Sequence, residues 1–151
     1  MNYAGRFNSF IFKGSSVLDA IKEYKTMNGL THLEFNYPEH IEGYDLNDIR
    51  EAMGDLKVNG FAIRWRKRFT NGNFCNPDET LRREAIELAK KGTDACRELG
   101  GSVVTLWFEN DGFDYPFQMN YEKNWEMLVE GIREVSRRPS GLRKTTCFPN
   151  S

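Results

Sequence analysis

Four times in succession the chain passes from an apolar, β-type run through a polar connector into an amphipathic helical stretch. Parallel strands need crossover connections of this kind, and such crossovers are right-handed in nearly all proteins. Successive units therefore curl into one parallel sheet with helices on its outside. A fold that closes on itself by this repeat needs about eight units in roughly 250 residues. The chain has 151 residues, so it reads as about half of such a fold.

The first unit reads as a strand Phe7–Phe12, a Gly14-Ser15-Ser16 connector and a helix from Val17 with Val17, Ile21 and Tyr24 on one face. Ser16 and Asp19 have the spacing of a capping box. The second is Thr31–Asn36, a loop through Tyr37-Pro38-Glu39-His40, and a helix opened by Asp45 with Leu46, Ile49, Met53 and Leu56 inward. The third is Val58–Trp65, a long polar loop, and a helix from about Glu79 to Leu99 that stops at Gly100-Gly101. The fourth is Val103–Trp107, a loop to Asn120, and a helix carrying Trp125, Leu128, Val129, Ile132 and Val135 toward the core. Connectors after strands are long and polar, whereas those after helices are short. In parallel α/β folds the ligand site lies at the carboxyl ends of the strands, so all candidate functional residues fall at one rim.

A formal charge of −1 with mixed signs gives no electrostatic footprint for nucleic acid and no polybasic anchor for a membrane. No secretory signal and no run of about 18 apolar residues is present, and the expectation is a cytoplasmic protein. Cys75, Cys96 and Cys147 are odd in number and widely spaced, which predicts free thiols. Nucleophile elbows, Walker loops, dinucleotide fingerprints and His-Glu-x-x-His motifs do not occur.

At the rim, Thr105–Tyr115 is the richest segment, with Glu109, Asp111 and Asp114 among Trp107, Phe108, Phe113 and Tyr115. Carboxylates among rings can bind sugar hydroxyls while the rings cover C–H faces, or can act as a desolvated acid or base. Against this, Asp111-Gly112 can be a turn and the aromatics padding. In Glu34–His40, alternation places His32, Glu34 and Asn36 on one face, with Glu34 in a barrel interior and Asn36 at its mouth. His40 has no histidine partner nearby and reads as a surface loop residue. The basic run Arg64-Trp65-Arg66-Lys67-Arg68 can grip a phosphate or an acidic sugar, or be a solvated loop start with Trp65 turned inward. The segment Phe12-Lys13-Gly14-Ser15 carries little information.

The stretch from about Gly5 to Arg137 resembles the N-terminal half of the xylose isomerase-like (β/α)8 barrels, a superfamily of sugar isomerases and epimerases that also contains endonuclease-four-type enzymes. The likeness is carried by Leu33-Glu34-Phe35, by Phe61-Ala62-Ile63-Arg64, by Val103–Trp107 with Asp111–Gln118, and by the helix Tyr121–Glu134. It implies an α/β fold, an incomplete (β/α)8 (TIM) barrel of about four parallel βα units at residues 5–138. It also implies a small-molecule sugar, or sugar phosphate, as substrate and a divalent metal (Mg, Mn or Co) as the cofactor of the intact family, acting as Lewis acid and template. By position Trp107, Asn36, Trp65, Glu109 and Asp111 are the substrate-binding candidates, and no metal ligand is assigned.

In that family the metal ligands come from strands five to eight. The segment after Arg138 has no acidic residue and two prolines, so it offers no strand-five glutamate. Residues 139–151 are expected to be an aberrant or disordered tail, the end of a truncated or frameshifted chain that is inactive alone and binds no metal. A half barrel also leaves open sheet edges and an apolar inner face, which predicts aggregation or a homo-oligomer. The alternative function is a small non-catalytic α/β module for a carbohydrate or an anion. An endonuclease-type relative is weaker, because the basic run is short and metal histidines are missing.

Overall fold

A computed structural model of the chain describes residues 1–11, 14–111, 118–137 and 144–148. Five strands, β1 (Ala4–Arg6), β2 (His32–Tyr37), β3 (Lys57–Ile63), β4 (Val103–Trp107) and β5 (Lys144–Phe148), form one sheet in sequence order. Every neighbouring pair is parallel. Between them run α1 (Asn8–Ile11), α2 (Val17–Lys25), α3 (Leu46–Met53), α4 (Glu79–Glu98) and α5 (Tyr121–Ser136). This is the expected partial TIM barrel of four βα units, with one further strand.

The first unit differs from its expectation. The strand is Ala4–Arg6 rather than Phe7–Phe12, and Asn8–Ile11 is helical. Phe7 and Phe10 are three apart, a helical spacing, and both are buried with ring centroids 6.4 Å apart. Tyr24 of α2 fixes β1: its hydroxyl accepts from the Gly5 N–H at 2.6 Å and donates to the His32 carbonyl at 2.7 Å. A side chain at Gly5 would collide with that hydroxyl, so the strand must pass there as glycine. Phe12 and Lys13 lie outside the described residues.

The helices start where their caps predict. Ser16, Asp45, Asp78 and Asn120 each accept a backbone N–H of the first turn. In α4, Ala85, Ile86, Ala89, Thr93 and Cys96 are buried in the periodicity of a core-facing stripe. Arg82 of the same helix is also buried. Its guanidinium donates to the carbonyls of Phe74 and Met127 and to the carboxylates of Glu79 and Glu130, tying α4 to α5 and to the loop after β3. In α5, Val135 is buried and Leu128 and Ile132 pack against the core, but Trp125 is 67% exposed, contrary to the expectation that it faces inward.

The two faces of the sheet are sharply different. Leu33, Phe35, Phe61, Ile63, Val104 and Leu106 alternate onto the helix-covered face and form the core. The opposite face carries Glu34, Asn36, Ala62, Arg64, Thr105 and Trp107 along β2 to β4. The inner face expected to be apolar is mixed: Glu34, Asn36 and Thr105 stand on it among Ala62, Val103 and Trp107, while the other large apolar side chains of β2 to β4 go to the helix side. The open edges are β1 and β5. Gly60 lets β3 and β4 come together, since a Cβ there would lie 2.2 Å from the Val103 carbonyl oxygen.

Within the segment expected to be an aberrant tail, Lys144–Phe148 pairs along all of β4, from Val103↔Lys144 to Trp107↔Phe148. Its Thr-Thr-Cys-Phe run has the β-branched and aromatic residues that suit a strand. The rest of that tail, 139–143 and 149–151, lies outside the described residues.

Candidate functional site

An open cleft of about 900 Å³ sits at the carboxyl ends of the strands. Each of the first four strands contributes to it: Asn8 just after β1, Asn36, Pro38 and Glu39 at the end of β2, Arg64 to Lys67 after β3, and Glu109 after β4. Glu42 lines the outer wall, ion-paired to Arg66.

Asn36 is buried at the floor, and its Nδ2 donates to Asn8 Oδ1 at 3.2 Å. That bond links the ends of β1 and β2. The Asn36 backbone N–H donates to His40 Nδ1 at 3.0 Å, which leaves the ring proton on Nε2. His40 is 1% exposed, packed edge-on against Phe7 and Phe35, and not the surface residue expected. Burial pulls its pKa down to about 4, with Glu39 opposing, so the ring is neutral at physiological pH.

Arg64 follows β3 and lays its guanidinium over the Trp107 ring, 4.3 Å from the centroid. Glu109 lies 3.7 Å from Arg64 Nη1. Trp65 points the other way. It is buried, donates from Nε1 to the Ala85 carbonyl at 3.1 Å and stacks on Phe108 at 5.2 Å, so it walls the cleft from the helix side.

Asp111 is committed to the backbone. Its carboxylate accepts the N–H groups of Asn73, Phe74 and Cys75 at 2.5, 3.0 and 3.0 Å. Burial raises its pKa and the three N–H groups lower it, with burial the larger effect. Asp111 thus clasps the loop after β3 to the end of β4. Gly112, Phe113, Asp114, Tyr115 and the rest of the aromatic block through 117 lie outside the described residues.

Of the five substrate-binding candidates, Asn36, Trp65 and Glu109 line the cleft, Trp107 stands behind Arg64, and Asp111 braces the rim. Asn8 escaped sequence reasoning because residues 7–12 read as a strand; the Phe7/Phe10 spacing was the available signal. Cys75 and Cys96 are free, as expected. Burial, the largest influence on each, pushes both thiols up to about 12. Among the described residues no three His, Cys, Asp or Glu side chains cluster in a way that could hold a metal ion. The described residues alone therefore do not fit a metal centre, and no helix among them is long and apolar enough to cross a membrane.

The sequence model of the xylose isomerase-like TIM barrel family matches residues 21–143. The chain belongs to that family. Solved structures similar to it include the 3-keto-D-glucoside 4-epimerase YcjR of E. coli in its apo form, with a TM-score of 0.63 and 15% identity over 82% of this chain and 46% of that one. A D-psicose 3-epimerase of Clostridium cellulolyticum H10, solved with D-tagatose, has a TM-score of 0.60 and 17% identity over 82% of this chain and 43% of its own. An L-ribulose 3-epimerase gives 0.63 and 16% over 88% and 45%. At these identities the likeness is one of fold, and the chain spans less than half the length of each. No curated protein sequence matches the chain.

Proposed function

We propose that the chain is the N-terminal half of a divalent-metal-dependent sugar isomerase or epimerase, that its rim cleft binds the sugar, and that it does not turn over substrate by itself. The observation that carries this reading is the cleft to which all four strand ends contribute, on a fold of the sugar-epimerase type. Within it Asn36 and Glu109 are placed to hydrogen-bond hydroxyls, Trp65 gives the wall apolar area, Trp107 backs the Arg64 guanidinium, and Asp111 sets the shape of the rim. The family's metal would be held by side chains beyond those described, since the described ones bring no ligand set together. When bound, such a metal polarises the sugar carbonyl and its neighbouring oxygen.

The open edges β1 and β5 are where the remainder of a barrel, or a second copy, would pair. The test is to assay the purified chain with Mg²⁺, Mn²⁺ or Co²⁺ on a ketohexose panel, following epimer formation by chromatography and sugar binding by calorimetry. Binding without turnover is expected. Turnover by the chain alone overturns the inactivity, and absence of binding to any sugar overturns the site.

A further inference from the structure

At the cleft floor Asn36 is fixed by its main chain and by one edge of its amide. Its N–H donates to His40 Nδ1 and its carbonyl accepts the His40 N–H, both at 3.0 Å, while its Nδ2 donates to Asn8 Oδ1 at 3.2 Å. His40 is itself buried against Phe7 and Phe35, so this support is rigid. The reciprocal bond between the two amides, from Asn8 Nδ2 to Asn36 Oδ1, is not made. One donor on Asn8 and one acceptor on Asn36 are therefore left without a partner among the described residues. Both residues line the cleft, and neither atom is closed off in the interior as the two orphaned amide atoms of Asn73 are.

The charged groups around them mostly face one another. Arg66 holds Glu42, Arg64 has Glu109 at 3.7 Å, and Glu39 approaches His40 at 4.0 Å. The amide couple is the uncharged part of the floor, and Asn36 within it is only 4% exposed. A nearly buried amide edge calls for a hydrogen-bond partner. The chemistry of that partner follows from the couple's own make-up. A carboxylate or a dianionic phosphate has no hydrogen to give Asn36 Oδ1, and an ammonium has no lone pair for Asn8 Nδ2; hydroxyls both donate and accept, and satisfy the two together.

We propose that Asn8 is a sugar-binding residue, and that with Asn36 it reads an unsubstituted, hydroxyl-bearing stretch of the sugar. Asn8 Nδ2 donates to a hydroxyl oxygen and Asn36 Oδ1 accepts a hydroxyl hydrogen. This rests on the reading of the cleft as a sugar site. It orients the sugar with a neutral end at the floor, so any phosphate, carboxylate or deoxygenated carbon of a ligand lies elsewhere.

The experiment is calorimetric titration of the chain with D-fructose, D-tagatose and D-psicose, and then with the 1-, 3-, 4- and 6-deoxy forms of whichever binds tightest. One deoxy form should bind about 10-fold more weakly than its parent sugar. Asn8→Asp keeps an oxygen for Asn36 Nδ2, and with it the tie between the ends of β1 and β2, but replaces the donor facing the cleft by an acceptor. It should weaken the parent sugar about 10-fold, shrink the deficit of that deoxy form to within about 2-fold, and leave the urea midpoint in place. Asn8→Ala should weaken the sugar alike and lower the midpoint as well. Parent-sugar binding unchanged in both folded variants overturns the role of Asn8 and leaves the sugar site standing. Equal binding of all the deoxy forms by the unmodified chain, or a deoxy deficit undiminished in both variants, overturns the hydroxyl reading. Binding of none of the three ketohexoses overturns the sugar reading itself, and the proposal with it.

Discussion

Arg64 and Trp107, 43 residues apart in sequence, meet face to face because β3 and β4 are neighbours in register, Ile63 lying beside Leu106. The ring holds a charged plane at the mouth of the cleft. Trp107→Leu should lower affinity for any sugar that uses Arg64 by about 10-fold, through a guanidinium that is free to rotate. It should cost less than about 1.5 kcal/mol of stability, because Trp107 is not part of the core. Titration calorimetry beside urea denaturation separates the two effects.

His40 is buried neutral, with a folded pKa of about 4 against 6.5 for the free group. The unfolded chain then binds the extra proton between those values, so stability is full above pH 6.5 and falls as pH drops toward 4. The loss is about 3 kcal/mol. Urea denaturation across this range should show that slope in the unmodified chain and a shallower one in His40→Gln.

Asp111 pulls the opposite way. Its folded pKa is raised, so the native state holds the proton more tightly and stability declines as pH rises from the ordinary value of 3.8 through the folded one. Asp111→Asn should remove this component and cost about 2 kcal/mol at neutral pH, since one amide oxygen replaces two carboxylate oxygens facing three N–H groups. Denaturant midpoints from pH 3 to 7 read both effects.

Gly60→Ala should be among the most damaging small substitutions in the chain. The added methyl meets main chain, the Val103 carbonyl, which cannot swing aside as a side chain would. A loss of about 3 kcal/mol is expected. Trp125→Ser, on the exposed face of α5, should stay within about 0.5 kcal/mol.

The thiols give a further check. In a Cys147→Ser background the folded chain should show no fast-reacting thiol toward an aromatic disulfide reagent near pH 7.5, because Cys75 and Cys96 are buried and protonated. Two should appear on addition of denaturant.

Helix starts were legible because capping is local: Ser16, Asp45 and Asn120 each act within three residues of their own position. The limits of β4 and the start of α4 followed from apolar periodicity in the same way. Counting by two from Phe61 and Ile63 also puts Trp65 on the helix side, but sequence alone does not say which face the helices take. His40 was illegible for a different reason. What buries it is Phe7 and Phe35, and a polar loop sequence contains no record of rings arriving from the turn after β1 and from β2. The rim itself was readable from connector lengths. The pairing of Asn8 with Asn36 depended on a first strand that ends before the apolar run begins.

The clasp of Asp111 on residues 73–75 makes the loop of the third unit and the loop of the fourth a single object. Neither can be reshaped alone. Lengthening, swapping or mutating one side of the mouth drags the other with it, so variation in ligand preference would have to arise by changing both loops together, or by single side chains set on an unmoved frame.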